Sequence, residues 1–279
     1  MRLAAELKAA RVDAGLTHKQ LAKMIGQSRA QISRLENGHT VDLGDVMQIL
    51  DALGIDGDDW IRMVTIARDA ATRGWWDSNK AMGPRQALLA DLEAGAATIR
   101  EFQPTFVPGL LQTPQFTHAR VEAERLAGQT ASVPAKEVEA CSGRQRMLRR
   151  PGGPTYEVIL DEVAVRRLAA PPEVVKAQLY HVAAVLNRYP KFSLRVLPVD
   201  AVVPTYNMPR TAFSLYTFPD PDDPDVVVVD VATDHFVLSD VDDVKRYDEL
   251  YGQLRDAAWD EDTSVDYLIE VAAEQDEPG

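Results

Sequence analysis

The stretch Thr17-His-Lys-Gln-Leu-Ala-Lys-Met-Ile-Gly-Gln-Ser-Arg-Ala-Gln-Ile-Ser-Arg-Leu-Glu-Asn-Gly38 decides the fold of the N-terminal part of the chain. Its pattern predicts two short helices joined by a tight turn, in which Thr17 caps the first helix, Gly26 allows the turn and Ser28 caps the second. The second helix is expected to end at Asn37-Gly38. The apolar residues that recur at helical spacing, and are therefore predicted to face the interior, are Leu21, Ala22, Met24, Ile32 and Leu35.

The remaining positions of the second helix are predicted to lie on its outer face. They are Arg29, Ala30, Ser33 and Arg34. A helix laid in the major groove of DNA presents such side chains to base edges and phosphates. The pattern therefore indicates an element that reads DNA.

The segment resembles the phage-repressor type of helix-turn-helix, in particular the bacterial xenobiotic-response-element (XRE-like) class, over about residues 3 to 70. The motifs that carry the resemblance are Gln20-Leu-Ala22, Ile25-Gly26, Ser28-Arg29, Ile32-Ser-Arg34 and Leu35-Glu-Asn-Gly38. The resemblance implies base or nearby phosphate contacts by the outer-face residues Arg29, Ala30, Ser33 and Arg34. It implies contacts with the DNA backbone by His18, Lys19 and Asn37. Thr17 and Ser28, at the helix starts, complete the predicted DNA-binding set.

His18 departs from this family, in which glutamine is usual at that position. A neutral imidazole still donates one hydrogen bond, so the departure bears on the strength and pH dependence of the predicted phosphate contact.

The charge distribution supports the same interpretation. Residues 1 to 40 hold seven Lys or Arg and three acids, a net charge of +4, whereas the whole chain carries a formal −13 and the remainder therefore −17. Local positive charge attracts phosphate, and an acidic remainder is repelled from DNA and orients the basic part toward it.

The length of 279 residues predicts about two domains. We place a helix-turn-helix domain at residues 1–72, an effector- or partner-binding and dimerisation domain at 73–274, and a tail at 275–279. In the first domain, a helix from about Arg2 to Asp13 would cover the motif with Leu3, Leu7 and Val12. Two further helices are expected, one capped by Asp42 and one beginning near Asp58-Asp59.

No apolar run approaches the ~20 residues that span a bilayer, and the N-terminus lacks the apolar stretch of a signal peptide. We therefore expect no membrane association and a cytoplasmic, nucleoid-associated protein. The single cysteine, Cys141, excludes an intramolecular disulfide and is interpreted as a small buried hydrophobe.

The second domain is predicted to mix helices and strands. Helices are expected at about 84–101, 114–127, 134–150, 162–168, 172–188, 240–258 and 264–274, and strands at 156–161, 192–197, 213–218 and 226–231. The last two strands flank the acidic turn Pro219–Asp225 and read as a hairpin. The fold class is thus an all-α N-terminal domain and an α+β C-terminal domain with a small mixed or antiparallel sheet.

The second domain also resembles a known group, the C-terminal domain of actinobacterial XRE-like regulators that include the WhiJ-like regulators of development and antibiotic production. The residues that carry this resemblance are Trp75-Trp76, Ala94 to Phe102, Phe106-Val-Pro-Gly-Leu-Leu-Gln-Thr113, Phe116, Arg144-Gln-Arg146, Leu160-Asp-Glu162, Gln178-Leu179 and Arg195-Val-Leu-Pro198. The resemblance implies a sensor-coupled transcription factor. It also implies a small acidic partner protein, in a pair similar to a toxin–antitoxin arrangement, or a small-molecule effector.

Seven residues are candidates for binding that ligand or partner: Trp75, Trp76, Phe106, Pro108, Leu110, Leu111 and Phe116. The segment Phe106-Val-Pro-Gly-Leu-Leu is broken by Pro and Gly, so it is predicted to be a loop. Two interpretations stay open for it, a plug in the core or the rim of a groove. The adjacent tryptophans cannot both face one side of a helix, so one is expected to be buried at the domain junction and the other available to a ligand or partner. Structural packing of both is the other interpretation.

The sequence offers no convincing catalytic or metal site. Asp161-Glu162 could form an acid–base pair, but adjacent strand residues point to opposite faces and Asp161 is better used as a helix cap. The histidines His118, His181 and His235 lack metal-ligand spacing. The acidic turn contains three prolines and no glutamate that would complete a calcium loop. We expect no enzyme activity, no metal and no cofactor.

The leading hypothesis is a sequence-specific transcriptional regulator of double-stranded DNA, a homodimer on an inverted repeat, modulated through its C-terminal domain. Dimerisation is inferred because one recognition helix reads only about four base pairs. The alternatives are an antitoxin-like partner-binding module whose DNA binding only autoregulates its own operon, and an enzyme tethered to DNA.

Overall fold

The computed structural model describes residues 2–36, 43–73, 84–128, 132–220, 223–231 and 235–275. Predictions that concern Asn37, Gly38, Asp42, Trp75 and Trp76 lie outside the described residues. The chain divides into two compact units, Met1–Lys80 and Ala81–Gly279, which we call the N-terminal and C-terminal units. The domain bounds at residues 72 and 274 stay predictions.

The described part of the N-terminal unit consists of five helices, as predicted. They are α1 (Arg2–Asp13), α2 (His18–Met24), α3 (Arg29–Leu35), α4 (Leu43–Ala52) and α5 (Gly57–Arg73). One apolar core joins them, and its buried members are Leu7, Leu21, Ala22, Ile32, Leu35, Val46, Ile49, Leu50, Met63, Val64 and Ala67. The predicted inward positions Leu21, Ala22, Ile32 and Leu35 of the two short helices are thus confirmed.

Two residues that were predicted to face inward are exposed instead. Val12 is 57% exposed and Met24 54%. Val12 follows the buried Leu7 by five residues, which places it about 140° round the helix, whereas Arg11 follows by four and takes the inward position. Met24 is the last residue of α2, and the next residue, Ile25, packs against the core in its place.

The described part of the C-terminal unit mixes seven α-helices with six strands. In chain order they are α6 (Pro84–Gly95), β1 (Thr98–Gln103), α7 (Pro114–Leu126), α8 (Pro134–Leu148), β2 (Thr155–Asp161), α9 (Glu162–Arg166), α10 (Pro172–Arg188), β3 (Phe192–Leu197), β4 (Phe213–Thr217), β5 (Val226–Asp230), β6 (His235–Leu238), α11 (Val241–Ala257) and α12 (Glu261–Glu274). A 3₁₀ turn at Gly109–Leu111 lies between β1 and α7.

The six strands form one mixed sheet in the order β3-β2-β1-β4-β5-β6. Strand β2 pairs parallel with both β1 and β3, and the pairs β1/β4, β4/β5 and β5/β6 are antiparallel. Side chains alternate between two cores. Ile99 and Val158 lie in the core that α8, α10 and α12 cover, whereas Phe102 and Ile159 lie in the core that α11 covers.

The predicted helix over 84–101 is wrong in its second half, because α6 ends at Gly95 and Thr98–Gln103 is the central strand β1. One of the two buried faces of β1 carries the polar residues Glu101 and Gln103. They obscured the alternation of apolar and polar residues expected of a strand. The short edge strand β6 was also missed. The hairpin of β4 and β5 and the α+β class are confirmed.

The polar residues of β1 are buried and hydrogen-bonded to each other and to β2. Glu101 Oε2 accepts a hydrogen bond from the Tyr156 hydroxyl at 2.5 Å, and Glu101 Oε1 accepts one from Gln103 Nε2 at 2.7 Å. Burial raises the pKa of Glu101 to about 7, although both hydrogen bonds act in the opposite direction. The centre of the sheet therefore holds a carboxyl group that takes up a proton near neutrality.

No helix among the described residues is long and apolar enough to cross a membrane.

We predict that Glu101 makes stability depend on pH. The unfolded chain ionises this residue near its ordinary pKa of 4.5, and the folded protein only near 7, so wild-type stability falls as the pH rises through that window. The Glu101→Gln variant lacks this loss. Urea unfolding at several pH values should show the variant gaining relative to wild type up to about pH 7 and levelling off above it. The exposed control Glu249→Gln should follow the wild-type pH profile. An identical profile for Glu101→Gln and wild type would contradict the raised pKa of Glu101.

Candidate nucleic-acid interface

A capping box sets the start of α2. The Gln20 N–H donates to Thr17 Oγ1 at 3.3 Å, and the Thr17 N–H donates to Gln20 Oε1 at 2.9 Å. Each bond satisfies a backbone group that the first turn of a helix leaves without a partner. The predicted cap is confirmed, and the Thr17 hydroxyl is engaged within the protein.

The turn and the start of α3 follow from two further residues. Gly26 has a φ of +69°, a left-handed conformation that strains residues with a side chain. Ser28 Oγ then accepts a hydrogen bond from the Gln31 N–H at 3.2 Å and caps α3. Helix α3 therefore begins at Arg29, as the sequence predicted.

The structure places several of the predicted DNA-contacting residues at the surface of this motif. Lys19, Ser28, Arg29 and Ala30 are exposed, and Ser33 and His18 are half-buried. Arg29 and Ala30 stand in the first turn of α3, which is the part of a recognition helix that reaches base edges. The Arg34 side chain and Asn37 lie outside what is described, and contact with DNA stays a prediction for the whole set.

The carboxylate of Glu36 connects three helices, which the sequence did not reveal. Its Oε1 lies 2.5 Å from Arg11 Nε and its Oε2 lies 2.7 Å from Arg11 Nη2, a bidentate ion pair between the end of α3 and α1. Its Oε2 also lies 2.8 Å from His18 Nε2 on α2. Arg11 Nη1 completes the connection by donating to the Leu16 carbonyl at 2.6 Å.

This arrangement changes the pKa of Glu36. Burial alone raises the pKa, but the hydrogen bonds from Arg11 and His18 and the charge of both groups outweigh it, so the pKa is lowered. The carboxylate is therefore ionised in the folded protein at neutral pH. The predicted backbone contact of His18 has to compete with this bond.

A second carboxylate, that of Asp45, joins α4 to α3 and to the turn before it. Asp45, which is buried, accepts hydrogen bonds from Gln27 Nε2 at 2.9 Å and from Gln31 Nε2 at 2.5 Å. One of these glutamines lies in the turn and the other on α3. Asp45 therefore holds the turn and α3 in one relative position.

The positive charge offered to DNA differs from the count made on the sequence. Arg11 is buried in its ion pair, so its charge does not reach the surface. Among the side chains that the structure describes in the N-terminal unit, the exposed basic ones before α4 are Lys8, Lys19, Lys23 and Arg29. These are the groups that can attract phosphate.

Five of the candidate ligand-binding residues lie in the C-terminal unit and are largely internal. Leu110, Leu111 and Phe116 are at most 2% exposed and belong to the core, and Pro108 is also buried. Only Phe106 is half-buried, and the Arg120 guanidinium lies 4.4 Å above its ring. The segment fills the core as a plug, and its role in binding a ligand stays a prediction.

Two motif glutamines account for the position of this segment. Gln145 Nε2 donates to the Gly109 and Gln112 carbonyls at 3.0 and 2.8 Å, and Gln178 Nε2 donates to the Leu111 carbonyl at 2.7 Å. Arg144 forms a buried ion pair with Glu93, with Nε 2.8 Å from Oε2. The two glutamines satisfy the backbone of a buried loop, which is a structural role, whereas Arg144 is satisfied by Glu93.

The features that resembled catalytic groups have other uses. Asp161 Oδ1 accepts a hydrogen bond from the Val163 N–H at 2.8 Å and caps α9, as predicted. Burial raises the pKa of the Cys141 thiol, whose Sγ donates to the Gly109 carbonyl at 2.8 Å. Within the described ranges, no group of three or more His, Cys, Asp or Glu residues is placed to hold a metal ion.

We predict that Glu36→Gln destabilises the N-terminal unit by about 3 kcal/mol at neutral pH, because it leaves the buried Arg11 charge without its partner. The exposed pair of Arg62 and Glu6 is the control, and Glu6→Gln should cost less than about 1 kcal/mol. Because folding lowers the pKa of Glu36, its contribution is complete above the unfolded pKa and is lost as the pH falls through the folded pKa. Urea unfolding should thus show the stabilities of wild type and Glu36→Gln converging as the pH falls. An equal loss of stability in Glu36→Gln and Glu6→Gln at pH 7 would refute the interpretation.

Comparison with known families adds to this geometry. A helix-turn-helix family matches residues 7–60, which contain α2, α3 and α4, and it supports a DNA-binding regulator. A family described as a domain of unknown function (DUF5753) matches residues 86–270, more than half of the chain. Neither a curated protein nor a solved structure matches the chain. The chain therefore belongs to the DUF5753 family and carries a helix-turn-helix domain before its DUF5753 domain.

Proposed function

We propose that the protein is a sequence-specific transcriptional regulator that reads its operator with α3. The observation that carries this proposal is the way α3 is held, because separate contacts determine its start, its end and its side. Ser28 caps its start, Glu36 ties its end to α1 and α2, and Asp45 holds its side. The outward Arg29 and Ala30 are therefore presented in one orientation, which direct readout of bases requires.

We infer that it acts as a homodimer on an inverted repeat. A single helix of seven residues, Arg29–Leu35, reaches too few base pairs for specific binding at physiological salt. Two copies related by a two-fold axis would read two half-sites about one helical turn apart. The C-terminal unit is the proposed source of the dimer contacts.

We further propose that the C-terminal unit binds a small acidic partner protein or a small-molecule effector and so modulates DNA binding. The resemblance to WhiJ-like regulators of actinobacteria supports this, and it suggests a place in development or secondary metabolism. The acidic charge of this part of the chain supports a role other than DNA contact, because phosphate repels it. We propose that the protein acts in the cytoplasm, at the nucleoid.

Two substitutions distinguish reading of bases from attraction to the backbone. Arg29→Ala should cost about 1–3 kcal/mol on the cognate operator and relax the preference at one base pair, because a base-edge hydrogen bond is lost. Lys19→Ala should weaken binding to cognate and random DNA alike and lower the salt dependence. Fluorescence anisotropy titrations on cognate and random DNA at several salt concentrations measure these affinities and their salt dependence.

Lys245, which is 71% exposed on α11 in the C-terminal unit, provides the matched charge control Lys245→Ala. It should change the affinity for both kinds of DNA by less than about twofold. Equal losses on cognate and random DNA for Arg29→Ala and Lys19→Ala would show that α3 is not the recognition helix.

The dimer is tested by sedimentation of the full chain with and without an operator fragment. We expect two copies on one fragment that carries an inverted repeat, and weaker binding by about a hundredfold or more on a fragment with one half-site. One copy on the complete operator would contradict the proposed dimer.

A further inference from the structure

In the C-terminal unit, two arginines, one at the end of α8 and one at the end of α10, lie beside the ring of Tyr189. Arg149, which follows the last residue of α8, has its guanidinium carbon 5.5 Å from the centre of the Tyr189 ring. Arg188, in the last turn of α10, has its guanidinium carbon 5.7 Å from the same ring centre. His181 lies on α10 two turns before Arg188, close enough to feel the charge of Arg149. We call Arg149, His181, Arg188 and Tyr189 the basic cluster.

Three nitrogen atoms of this cluster are buried without a hydrogen-bond partner among the described residues. They are Nε and Nη2 of Arg149 and Nε2 of His181. A buried polar atom without a partner costs about 1–3 kcal/mol, and more when it carries charge, so folded proteins rarely leave one. Arg149 and His181 therefore each lack an acceptor that an anion could supply.

The identity of the Arg149 atoms specifies the kind of acceptor. Nε and Nη2 lie on one edge of the planar guanidinium group, and their N–H bonds point in nearly the same direction. That edge binds two oxygen atoms of a carboxylate or a phosphate at once. The contact with the Tyr189 ring restrains the guanidinium group.

The charge of the cluster favours an anion as well. Neither Arg149 nor Arg188 forms an ion pair with an acid in the described part of the chain, although both flank the same ring. Two guanidinium groups in one place repel each other unless an anion lies near them. Burial and the Arg149 charge lower the pKa of His181, the shift expected of an imidazole in a positive site that lacks its anion.

We propose that the basic cluster is a binding site for the carboxylate or phosphate group of the ligand that the C-terminal unit senses. Arg149 would bind two oxygen atoms of that group through Nε and Nη2, His181 would donate from Nε2, and Arg188 would supply further positive charge. The site itself is independent of DNA binding, whereas its role as an effector site rests on the proposed function.

The first experiment measures anion binding by the full chain without DNA. Isothermal titration calorimetry with inorganic phosphate and, separately, with citrate at constant ionic strength should detect binding in the wild type. Arg149→Gln should weaken it by about tenfold or more, because charge-assisted hydrogen bonds are lost. Arg210→Gln removes an exposed charge elsewhere in the unit and should change the affinity by less than about twofold.

A second, milder substitution keeps the test valid if Arg149→Gln fails to fold. Arg188→Gln changes an exposed residue whose side chain forms no hydrogen bond in the described structure, and it should weaken binding by about threefold with unchanged thermal unfolding. Preference for phosphate over citrate, or the reverse, identifies which of the two groups the site takes. Equal affinities in Arg149→Gln, Arg210→Gln and wild type, or no binding of either anion, would overturn the site and leave a bridging water as the acceptor.

The second experiment separates this site from the DNA interface. Without added anion, Arg149→Gln should bind DNA as the wild type does, and a uniform loss on all DNA would mean that the cluster contacts the DNA backbone instead. With the anion that binds, operator affinity should change in the wild type and stay constant in Arg149→Gln. Anion binding without any change in operator affinity would overturn the effector role while leaving both the site and the DNA-reading function intact.

Discussion

The N-terminal unit depends on one buried carboxylate. Glu36 follows α3 and accepts hydrogen bonds from Arg11 on α1 and from His18 on α2, so a single group determines how three helices meet. An ion pair that is nearly excluded from water is sensitive to geometry, because each charge is costly without its partner. The outward position of Arg29, which we propose to face DNA, therefore rests on an interaction inside the protein.

The C-terminal unit depends in a comparable way on its central strand. Strand β1 pairs parallel with β2 and antiparallel with β4, so it joins the two halves of the sheet. It carries a buried carboxyl group, Glu101, which Tyr156 and Gln103 satisfy. Next to the sheet, Gln145 and Gln178 hold the loop before α7 by its carbonyl groups. Residues that resembled a family signature thus serve to build this fold, and ligand recognition has to be sought at groups without a partner.

Local signals made most of the fold predictable from the sequence. The caps, glycines and helical spacing of residues 2–36 act within a few positions, and they specified each helix and the outward place of Arg29. The failures have non-local causes. Arg11 and Glu36 are 25 residues apart and each resembles a surface charge, and β1 hides behind the polar residues of its inward face. The basic cluster was invisible for the same reason, since Arg149 and Tyr189 meet only in the folded chain.

The most direct test of the central claim is selection of genomic DNA fragments by the purified full-length protein at near-physiological salt, followed by sequencing of the retained fragments. The account predicts a few sites that share an inverted repeat, with half-sites about one helical turn apart, and loss of this selection in Arg29→Ala. Uniform retention of all fragments, or the same sites with Arg29→Ala as with wild type, would contradict a regulator that reads its operator through α3.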